Sequence, residues 1–202
     1  MSSKKKSSRP QQLNYHKIEQ FTNPKSVPKD IEEEVLTCYV DFNIEHDMTI
    51  YDLQPFFEKL QLPHNIYKFV MYKGEKELCV EGTNIIDFDK LLIETYHLLI
   101  YMDNVAVIDE YWSLLVESCQ RDQQFPQVKL KDHVIGLKQL RAIINNVNGS
   151  GEEETASGST MPLIQMMKAV SSPPQKSGAD KLFINYLDFA FMLGKIGLLK
   201  FL

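Results

Sequence analysis

The sequence predicts an all-α protein in two similar halves, each built from two helix–loop–helix units. Apolar residues recur at helical spacing through most of the chain after Pro28, which is typical of amphipathic helices. Four short segments containing a β-branched residue or Met interrupt these helices, two in each half. Each segment leads through a polar residue into a new apolar helix. The repeated order indicates a worn internal repeat.

The first half contains four predicted helices. The first follows Pro28 and has acidic residues in its first turn, where they favour helix formation. Pro63 suits the start of the third helix, Gly74 and Gly82 are predicted to bracket a loop, and a longer helix begins at Phe88. The apolar stripes are Ile31, Val35, Cys38 and Tyr39; Leu53, Phe56, Phe57 and Leu60; Ile66, Phe69 and Val70; and Leu91, Leu92, Leu98 and Leu99.

The second half repeats this scheme around a polar interruption. Residues 148–160 are rich in Gly, Ser, Thr and Glu and are predicted to be a flexible insert. A Met-bearing helix, MPLIQMMKAV, follows, and the chain closes with FINYLDFAFMLGKIGLLKFL. Gly194 and Gly197 are interpreted as helix-end or packing glycines, and the apolar end is expected to pack on the body or to fill a groove. The preceding stripes are Ile108, Trp112, Leu115, Val116 and Cys119, and Leu137, Leu140, Ile143, Ile144 and Val147.

Helix–loop–helix units that occur in pairs are typical of the EF-hand, whose calcium loop has twelve residues. In that arrangement the hydrophobic residue at loop position 8 forms a short β-bridge with the partner loop. The predicted fold is therefore two EF-hand-like lobes, as in calmodulin and centrin, with degenerate loops. We expect a basic, mostly flexible tail over 1–27, a first lobe over 28–104 and a second lobe over 105–202.

The charge distribution favours a protein partner over DNA. Residues 1–29 hold seven Lys or Arg and one acid, a net charge of +6. Because the whole chain has a net charge of −5, the remaining residues carry −11. An acidic body is poorly suited to duplex phosphates, which are bound through basic contacts. The basic cluster of Lys4, Lys5, Lys6 and Arg9 is interpreted as a solvated tail, with a nuclear import signal as the alternative.

The segment DFNIEHDMTIYD, residues 41–52, has the spacing of a calcium loop but two unfavourable positions. Position 6 is His46, whose Cβ disfavours the positive φ of the sharp turn. Position 12 is Asp52, which is one methylene shorter than the bidentate Glu usually found there. The candidate ligands of this loop are Asp41, Asn43, Glu45, Asp47, Thr49 and Asp52.

The other three loops lack most of the oxygen ligands that a hard cation needs. When the second loop is aligned on Ile86 at position 8, it ends at Lys90, a cation in place of the bidentate ligand. The third and fourth loops, aligned on Ile135 and Ile184, have apolar or basic residues at ligand positions. The sequence therefore predicts no metal site and no cofactor.

No residue pattern predicts catalysis. The three cysteines lie in apolar surroundings without a neighbouring base, which is typical of buried core thiols. The five histidines show no metal-ligand spacing, and the glycines lack the spacing of a phosphate loop. We expect a protein that is not an enzyme.

The remaining candidate for a functional feature is an apolar surface in the second half. EF-hand lobes bind amphipathic helices through grooves lined by Met, Leu and aromatic residues, which adapt to the target. Each such residue in the second half also fits an ordinary core position, so the set is more informative than its members. The predicted partner-binding residues are Trp112, Leu115, Leu140, Ile144, Met166, Met167, Phe189, Met192 and Leu193.

Several phrases resemble one family in particular. HDMTIYDLQPFFEKLQL, VEGTNIIDFDKLL, RDQQFPQVKLKDHVIGLKQL and INYLDFAFMLGKIGLLKFL are similar to the fungal nucleotide-excision-repair family Rad thirty-three, from about residue 15 to the C-terminus apart from the insert. The resemblance implies a centrin-like, non-catalytic subunit in the nucleus, with the cytoplasm as a further location. Its partner would be the xeroderma pigmentosum group C type damage-recognition protein, Rad four, together with a ubiquitin-like companion.

Two other functions stay open. One is a centrin-like divalent-cation sensor that acts through the first loop alone. The other is a small hydrolase, for which the sequence offers no nucleophile and base. A calcium-independent adaptor fits the residues best, because a subunit that holds its partner constitutively has no need of calcium ligands.

Overall fold

The structure is a computed structural model that describes Glu19, Phe21, residues 27–147 and residues 183–201, with side chains for all of these except 72–76 and 145–147. The described chain is mostly helical, as predicted, with one two-stranded antiparallel sheet. The α-helices are α1 (Lys29–Phe42), α2 (Leu53–Lys59), α3 (His64–Glu77), α4 (Phe88–Asp103), α5 (Val105–Ser118), α6 (Arg121–Gln124), α7 (Leu137–Val147) and α8 (Tyr186–Lys195). The strands are β1 (Ile135–Gly136) and β2 (Phe183–Ile184), and 3₁₀ turns lie at Ile50–Asp52 and Leu130–Asp132.

The helices form where the apolar stripes predicted them. In α1, Val35 and Cys38 are buried while Ile31 and Tyr39 are partly buried against the core. In α2, the buried residues are Leu53, Phe56 and Phe57. Burial of one stripe per helix is the main source of helix stability in a protein, since short isolated helices are marginal in water.

The prediction that Gly74 opens a loop was wrong. Helix α3 continues through Gly74 to Glu77, and the loop that follows contains Gly82. A glycine inside a helix costs only about 1 kcal/mol relative to alanine. The Lys and Glu residues around Gly74 are good helix formers, and together they outweigh that cost.

The loops pair two by two in the predicted register. Ile135 faces Ile184 across the antiparallel strands β1 and β2. In the first half, the Ile86 amide donates a hydrogen bond to the Met48 carbonyl at 2.8 Å, and Met48 is position 8 when the first loop is counted from Asp41. The same loop position therefore meets its counterpart in both halves.

The two halves share a contiguous core of buried apolar residues. Between α4 and α5, the buried Asn104 side chain donates hydrogen bonds to the carbonyls of Ile100 and Lys200 and accepts one from the Lys200 amide, at 2.7–2.8 Å. An ion pair between Lys68 of α3 and Asp132 also joins the halves. Asn104 thereby fixes the C-terminal residues against the junction of α4 and α5.

The end of the chain packs on the body. Gly197 has a φ of 72°, and the amides of Gly197 and Leu198 donate to the Gly194 and Leu193 carbonyls at 2.9 and 3.0 Å, which ends α8. Leu199 is buried. This confirms Gly197 as a helix-end glycine and selects the first of the two expectations for the apolar end.

None of the helices in the described residues is by itself long and apolar enough to cross a membrane. The pair α4 and α5 passes on combined length and composition, and it bends by 82° at the break between them. Most of the basic tail, the 148–160 insert and the Met-bearing segment lie outside the described residues.

Candidate functional sites: the paired loops and the apolar surface of the second half

In the first loop, the carboxylate at position 1 is engaged by a lysine. Asp41 lies in the last turn of α1 and pairs with the ammonium of Lys59 at the end of α2. Both side chains are about half exposed. The hydrogen bond with Asp41 raises the pKa of Lys59. Lys59 therefore places a positive charge beside the carboxylate that would be the first ligand of a cation.

Two further candidate ligands of this loop cap its backbone. The Asn43 side-chain oxygen accepts a hydrogen bond from the Met48 amide at 2.7 Å. An Asp52 carboxylate oxygen accepts from both the amide and the hydroxyl of Thr49, each at 2.8 Å. These bonds hold the loop and the 3₁₀ turn that leads into α2. They use oxygen atoms that a calcium ion would need.

The backbone at His46 also departs from a calcium loop. The described non-glycine residues with positive φ are Gln61 and Gln120, so His46 does not adopt the left-handed turn that position 6 requires. Its ring nitrogen lies 3.1 Å from the carbonyl oxygen of Asp47. Across the described ranges, no group of three or more His, Cys, Asp or Glu side chains is arranged to hold a metal ion.

In the second loop, a lysine at one end of the loop bonds to the backbone at the other end. The ammonium of Lys90, which is position 12, donates a hydrogen bond to the backbone carbonyl of Cys79, which is position 1. The distance between the two atoms is 2.7 Å. The ammonium also lies 3.8 Å from a carboxylate oxygen of Asp87. Calcium joins the same two ends of a loop through oxygen ligands. Here a tethered cation makes that connection.

In the second half, aromatic side chains rather than lysines bond a loop and its neighbouring helices together. The indole of Trp112 on α5 donates a hydrogen bond to the Leu130 carbonyl in the third loop at 2.7 Å. The Tyr186 hydroxyl, at the start of α8, donates to the carboxylate of Asp109, which also pairs with Lys131 at 3.1 Å. Burial, followed by the bond to Asp109, raises the pKa of Tyr186 far above its ordinary value. The third loop is thus bonded to α5, and α5 to α8.

The predicted partner-binding residues divide into three groups. Trp112 and Leu193 are buried, so neither side chain is available to a partner at the surface. The Trp112 ring lies 5.3 Å from the ring of Phe189 and supports it from beneath. Met166 and Met167 lie outside the described residues. The partly buried residues, which pack on the core while keeping exposed surface, are Leu115, Leu140, Ile144, Phe189 and Met192. We call these five residues the apolar surface.

The cysteines lie in the core. All three are buried. Burial raises the pKa of the Cys38 and Cys119 thiols, which keeps both protonated at neutral pH. A protonated thiol is a poor nucleophile.

Two contacts were missed by the sequence analysis. The Asp41–Lys59 pair joins residues from different helices, and the sequence carries no signal for it. Phe21, within the predicted flexible tail, is fully buried against His97 of α4. A large aromatic residue in an otherwise polar segment was the available signal.

The comparisons with known proteins agree with the phrases noted in the sequence. The family model Rad33 matches residues 74–149. The chain is 40% identical over 188 residues to the DNA repair protein RAD33 of Saccharomyces cerevisiae (strain ATCC 204508 / S288c), covering 93% of this chain and 96% of that protein. No solved structure matches the chain. The chain belongs to the Rad33 family.

Proposed function

We propose that this protein is a non-catalytic, calcium-independent adaptor in DNA repair, which holds an apolar helix of a damage-recognition protein. The repair role is supported by the yeast relative, a DNA repair protein that aligns with 93% of this chain. The proposed partner is the xeroderma pigmentosum group C type protein, Rad four, with its ubiquitin-like companion. The proposed pathway is nucleotide excision repair, and the proposed location is the nucleus.

The proposed architecture is two EF-hand-like lobes, over residues 28–104 and 105–202, as in centrin and calmodulin. The pairing of loops in one register supports it, since Met48 meets Ile86 and Ile135 meets Ile184. This step is analogy at the level of the fold, and the binding mode has to be argued from the residues themselves.

Calcium independence is carried by one observation: loop groups at ligand positions are already bonded within the chain. Asp41 pairs with Lys59, Asp52 accepts from Thr49, and Lys90 bridges its own loop. A cation entering the first loop would have to displace these bonds, and one entering the second would be repelled by an ammonium. The loops therefore need no metal to hold the helices.

Partner binding is supported by the apolar surface. Phe189 and Met192 on α8 and Leu115 on α5 pack on the core with part of each side chain exposed. Such a mixture of aromatic, Leu and Met side chains suits the apolar face of a helix. The acidic body suits basic residues on the other face of that helix and leaves DNA contact to the partner.

Calorimetry tests the proposal. The full-length protein is titrated with the C-terminal region of the damage-recognition protein, once in chelator and once in excess calcium. Equal, tight binding in both conditions is the expected result. Binding only in calcium would favour the sensor alternative, and no binding in either would contradict the proposed partner.

A matched pair of variants tests the surface. Met192→Asp places a charge within the apolar surface and is expected to weaken binding of the damage-recognition region by at least ten-fold. Leu36→Asp makes the same kind of change at an apolar residue that is 43% exposed on α1, and binding should be unchanged. Equal affinities for the two variants, with wild-type helicity, would contradict the location.

A further inference from the structure

Helix α1 exposes an apolar stripe on the side that faces away from the core. Leu36 and Val40 lie about one turn apart, and their side chains are 43% and 50% exposed. Ile44 follows four residues later, just beyond the end of α1, and is 74% exposed. The residues of α1 that are buried, Val35 and Cys38, lie on the opposite side of the helix. Within the described residues, the outer face of α1 is therefore an uncovered helix face.

Carboxylates surround this stripe. Residues 30–47 contain seven acidic residues and no Lys or Arg, so they carry −7 of the −11 that lies outside residues 1–29. All seven acidic side chains are exposed. Asp41 pairs with Lys59, whereas no Lys or Arg among the described residues pairs with Asp30, Glu33 or Glu34. Carboxylates held this close together repel one another, so a positively charged segment would be stabilised beside them.

A groove of about 480 Å³ runs beside the stripe, between α1 and the end of α2. Its lining includes the acidic residues Asp30, Glu33 and Glu34 and the apolar residue Leu60. Glu33 precedes Leu36 by three residues, so the groove and the stripe share an edge. Lys and Arg suit such a surface, because their apolar stems lie on apolar side chains while their charged ends reach carboxylates. We call this region the α1 surface; it comprises Asp30, Glu33, Glu34, Leu36 and Val40.

The chain itself carries a segment of the complementary charge. Residues 1–18 have a net charge of +5, with no acidic residue. The basic residues are Lys4, Lys5, Lys6, Arg9 and Lys17. The most basic and the most acidic parts of the chain are thus close neighbours in the sequence.

Phe21 fixes the base of this basic segment on the body. Its ring has no solvent exposure and stacks on His97 of α4, with centroids 4.3 Å apart. A Cβ on Gly194 would overlap the Phe21 ring, so Gly194 is a packing glycine, as predicted. Helix α4 in turn packs against α1, and the Tyr39 and Phe88 rings lie 5.1 Å apart. The basic segment is therefore anchored on the helix that packs against α1.

The basic segment is long enough to reach the α1 surface. Phe21 precedes the first residue of α1 by eight residues, which span at most about 28 Å. The 14 residues of α1 have a length of about 21 Å, and 18 residues extend over about 60 Å. A segment tethered at this distance has a high effective concentration, which adds to the weak attraction of exposed charge pairs.

We propose that the α1 surface is an intramolecular docking site for residues 1–18, with Lys4, Lys5, Lys6 and Arg9 against its carboxylates. While the segment is docked, these four positive charges are withheld from other anions, including the phosphates of duplex DNA. The site lies on α1, apart from the apolar surface on α5, α7 and α8, so it does not depend on the proposed function.

A peptide added in trans tests the site. The probe is a fluorescein-labelled peptide of residues 1–18. The protein is the full chain with a neutralised tail, carrying Lys4→Gln, Lys5→Gln, Lys6→Gln and Arg9→Gln. Fluorescence anisotropy at low salt is expected to show binding about ten-fold tighter than to the wild type, whose α1 surface is filled in cis. High salt should weaken the binding by about ten-fold, since exposed charge pairs are screened.

Two charge-matched pairs of substitutions locate the site. In the protein with the neutralised tail, Glu33→Lys with Glu34→Lys should abolish binding of the peptide. Glu110→Lys with Glu117→Lys changes two exposed residues of α5 and should leave the affinity within about two-fold. Equal losses for the two pairs would overturn the proposal. So would a lack of binding to the protein with the neutralised tail and wild-type helicity.

The wild type is tested by carbodiimide coupling, which joins a lysine amine to a carboxylate that it contacts. Mass spectrometry of the coupled monomer should find Lys4, Lys5 or Lys6 joined mainly to Glu33 or Glu34. Coupling to Glu110 and Glu117 is the internal control and should be about five-fold less frequent. Equal coupling to the two pairs of glutamates, or none to Glu33 and Glu34, would overturn docking in cis.

The withheld charge is tested with a labelled DNA duplex. At low salt, the full chain with Glu33→Lys and Glu34→Lys should bind the duplex about three-fold tighter than the chain with Glu110→Lys and Glu117→Lys. The two proteins have the same net charge, and the basic segment is released in the first and docked in the second. Equal affinities would overturn the statement that docking withholds the basic cluster from DNA.

Discussion

The two loop pairs meet at the same loop position, through an isolated bridge between Thr49 and Ile85 in the first half and through strands β1 and β2 in the second, and they are held by different chemistry. In the first half, two lysine ammonium groups contact loop oxygens, Lys59 at Asp41 and Lys90 at the Cys79 carbonyl. In the second half, the buried aromatic residues Trp112 and Tyr186 donate hydrogen bonds to loop and helix oxygens. Both arrangements satisfy oxygen atoms that lie between two helices.

In both halves the loop pair is held by backbone bonds between the loops together with side-chain donors to nearby oxygen atoms. A half-exposed ammonium is a weak donor in this role because water competes with it. A buried indole or phenol contributes more, since it also buries apolar area.

Trp112→Ala should have the largest effect. It removes a fully buried side chain and leaves the Leu130 carbonyl without its indole donor, so the free energy of unfolding should fall by about 3–5 kcal/mol. Urea denaturation followed by far-UV circular dichroism measures it. The control is Leu114→Ala on the same helix, where the side chain is 54% exposed and the change should stay within about 0.5 kcal/mol. Equal losses for the two variants would contradict the role of Trp112.

Tyr186→Phe should have the second largest effect. It removes the hydrogen bond to Asp109 without changing the ring, and bonds to charged groups contribute about 1.5–3 kcal/mol. The free energy of unfolding at neutral pH measures this loss. Phe69→Leu is the control, since it changes the packing beside the same ring and leaves the Tyr186–Asp109 bond in place.

The same tyrosine predicts a pH dependence. The pKa of folded Tyr186 is raised, so the folded protein keeps a proton that the unfolded chain loses near pH 10. The contribution of Tyr186 to the free energy of unfolding is complete below pH 10 and is lost as the pH rises from there through the folded pKa. In the wild type, the free energy of unfolding should fall more steeply above pH 10 than in Tyr186→Phe, by about 1.4 kcal/mol per pH unit. Parallel curves would contradict a raised pKa.

Lys90→Met should have a smaller effect, confined to the first half. It keeps the length of the side chain and removes the donor to the Cys79 carbonyl. Because the Lys90 side chain is 45% exposed, the expected loss is about 0.5–1 kcal/mol, with faster hydrogen exchange at the Ile86 amide. Lys138→Met, an exposed lysine at the start of α7, should leave both quantities unchanged. If both variants behave alike, the tethered cation does not hold the loop.

Calcium should have the smallest effect. Adding calcium or magnesium to the chelated wild type should leave the melting temperature unchanged, because a ligand stabilises a fold only if it binds the folded state. Differential scanning calorimetry measures this directly. An increase that Asp41→Ala abolishes would instead establish a cation site in the first loop.

The local features were predictable because they depend on residues close together in the chain. Val35 and Cys38 lie one helical turn apart, and their burial in α1 follows from that spacing. The pairing of Ile135 with Ile184 followed from the repeat, which placed both residues at the same position in their loops. The sequence shows a lysine at position 12 of the second loop. Its bond to the Cys79 carbonyl could not be predicted, because that bond depends on how the loop closes.

The sequence by itself determined most of the helices, the order of the loops, the scarcity of oxygen ligands in three of those loops, and the family. These features depend on residue type and short spacing, which a chain carries whether or not it is folded. The tertiary structure alone decided that Lys59 engages Asp41, that Trp112 lies beneath the apolar surface, and that Phe21 fills a pocket on His97 and Gly194. These contacts join residues distant in the chain, and such contacts depend on how the helices pack.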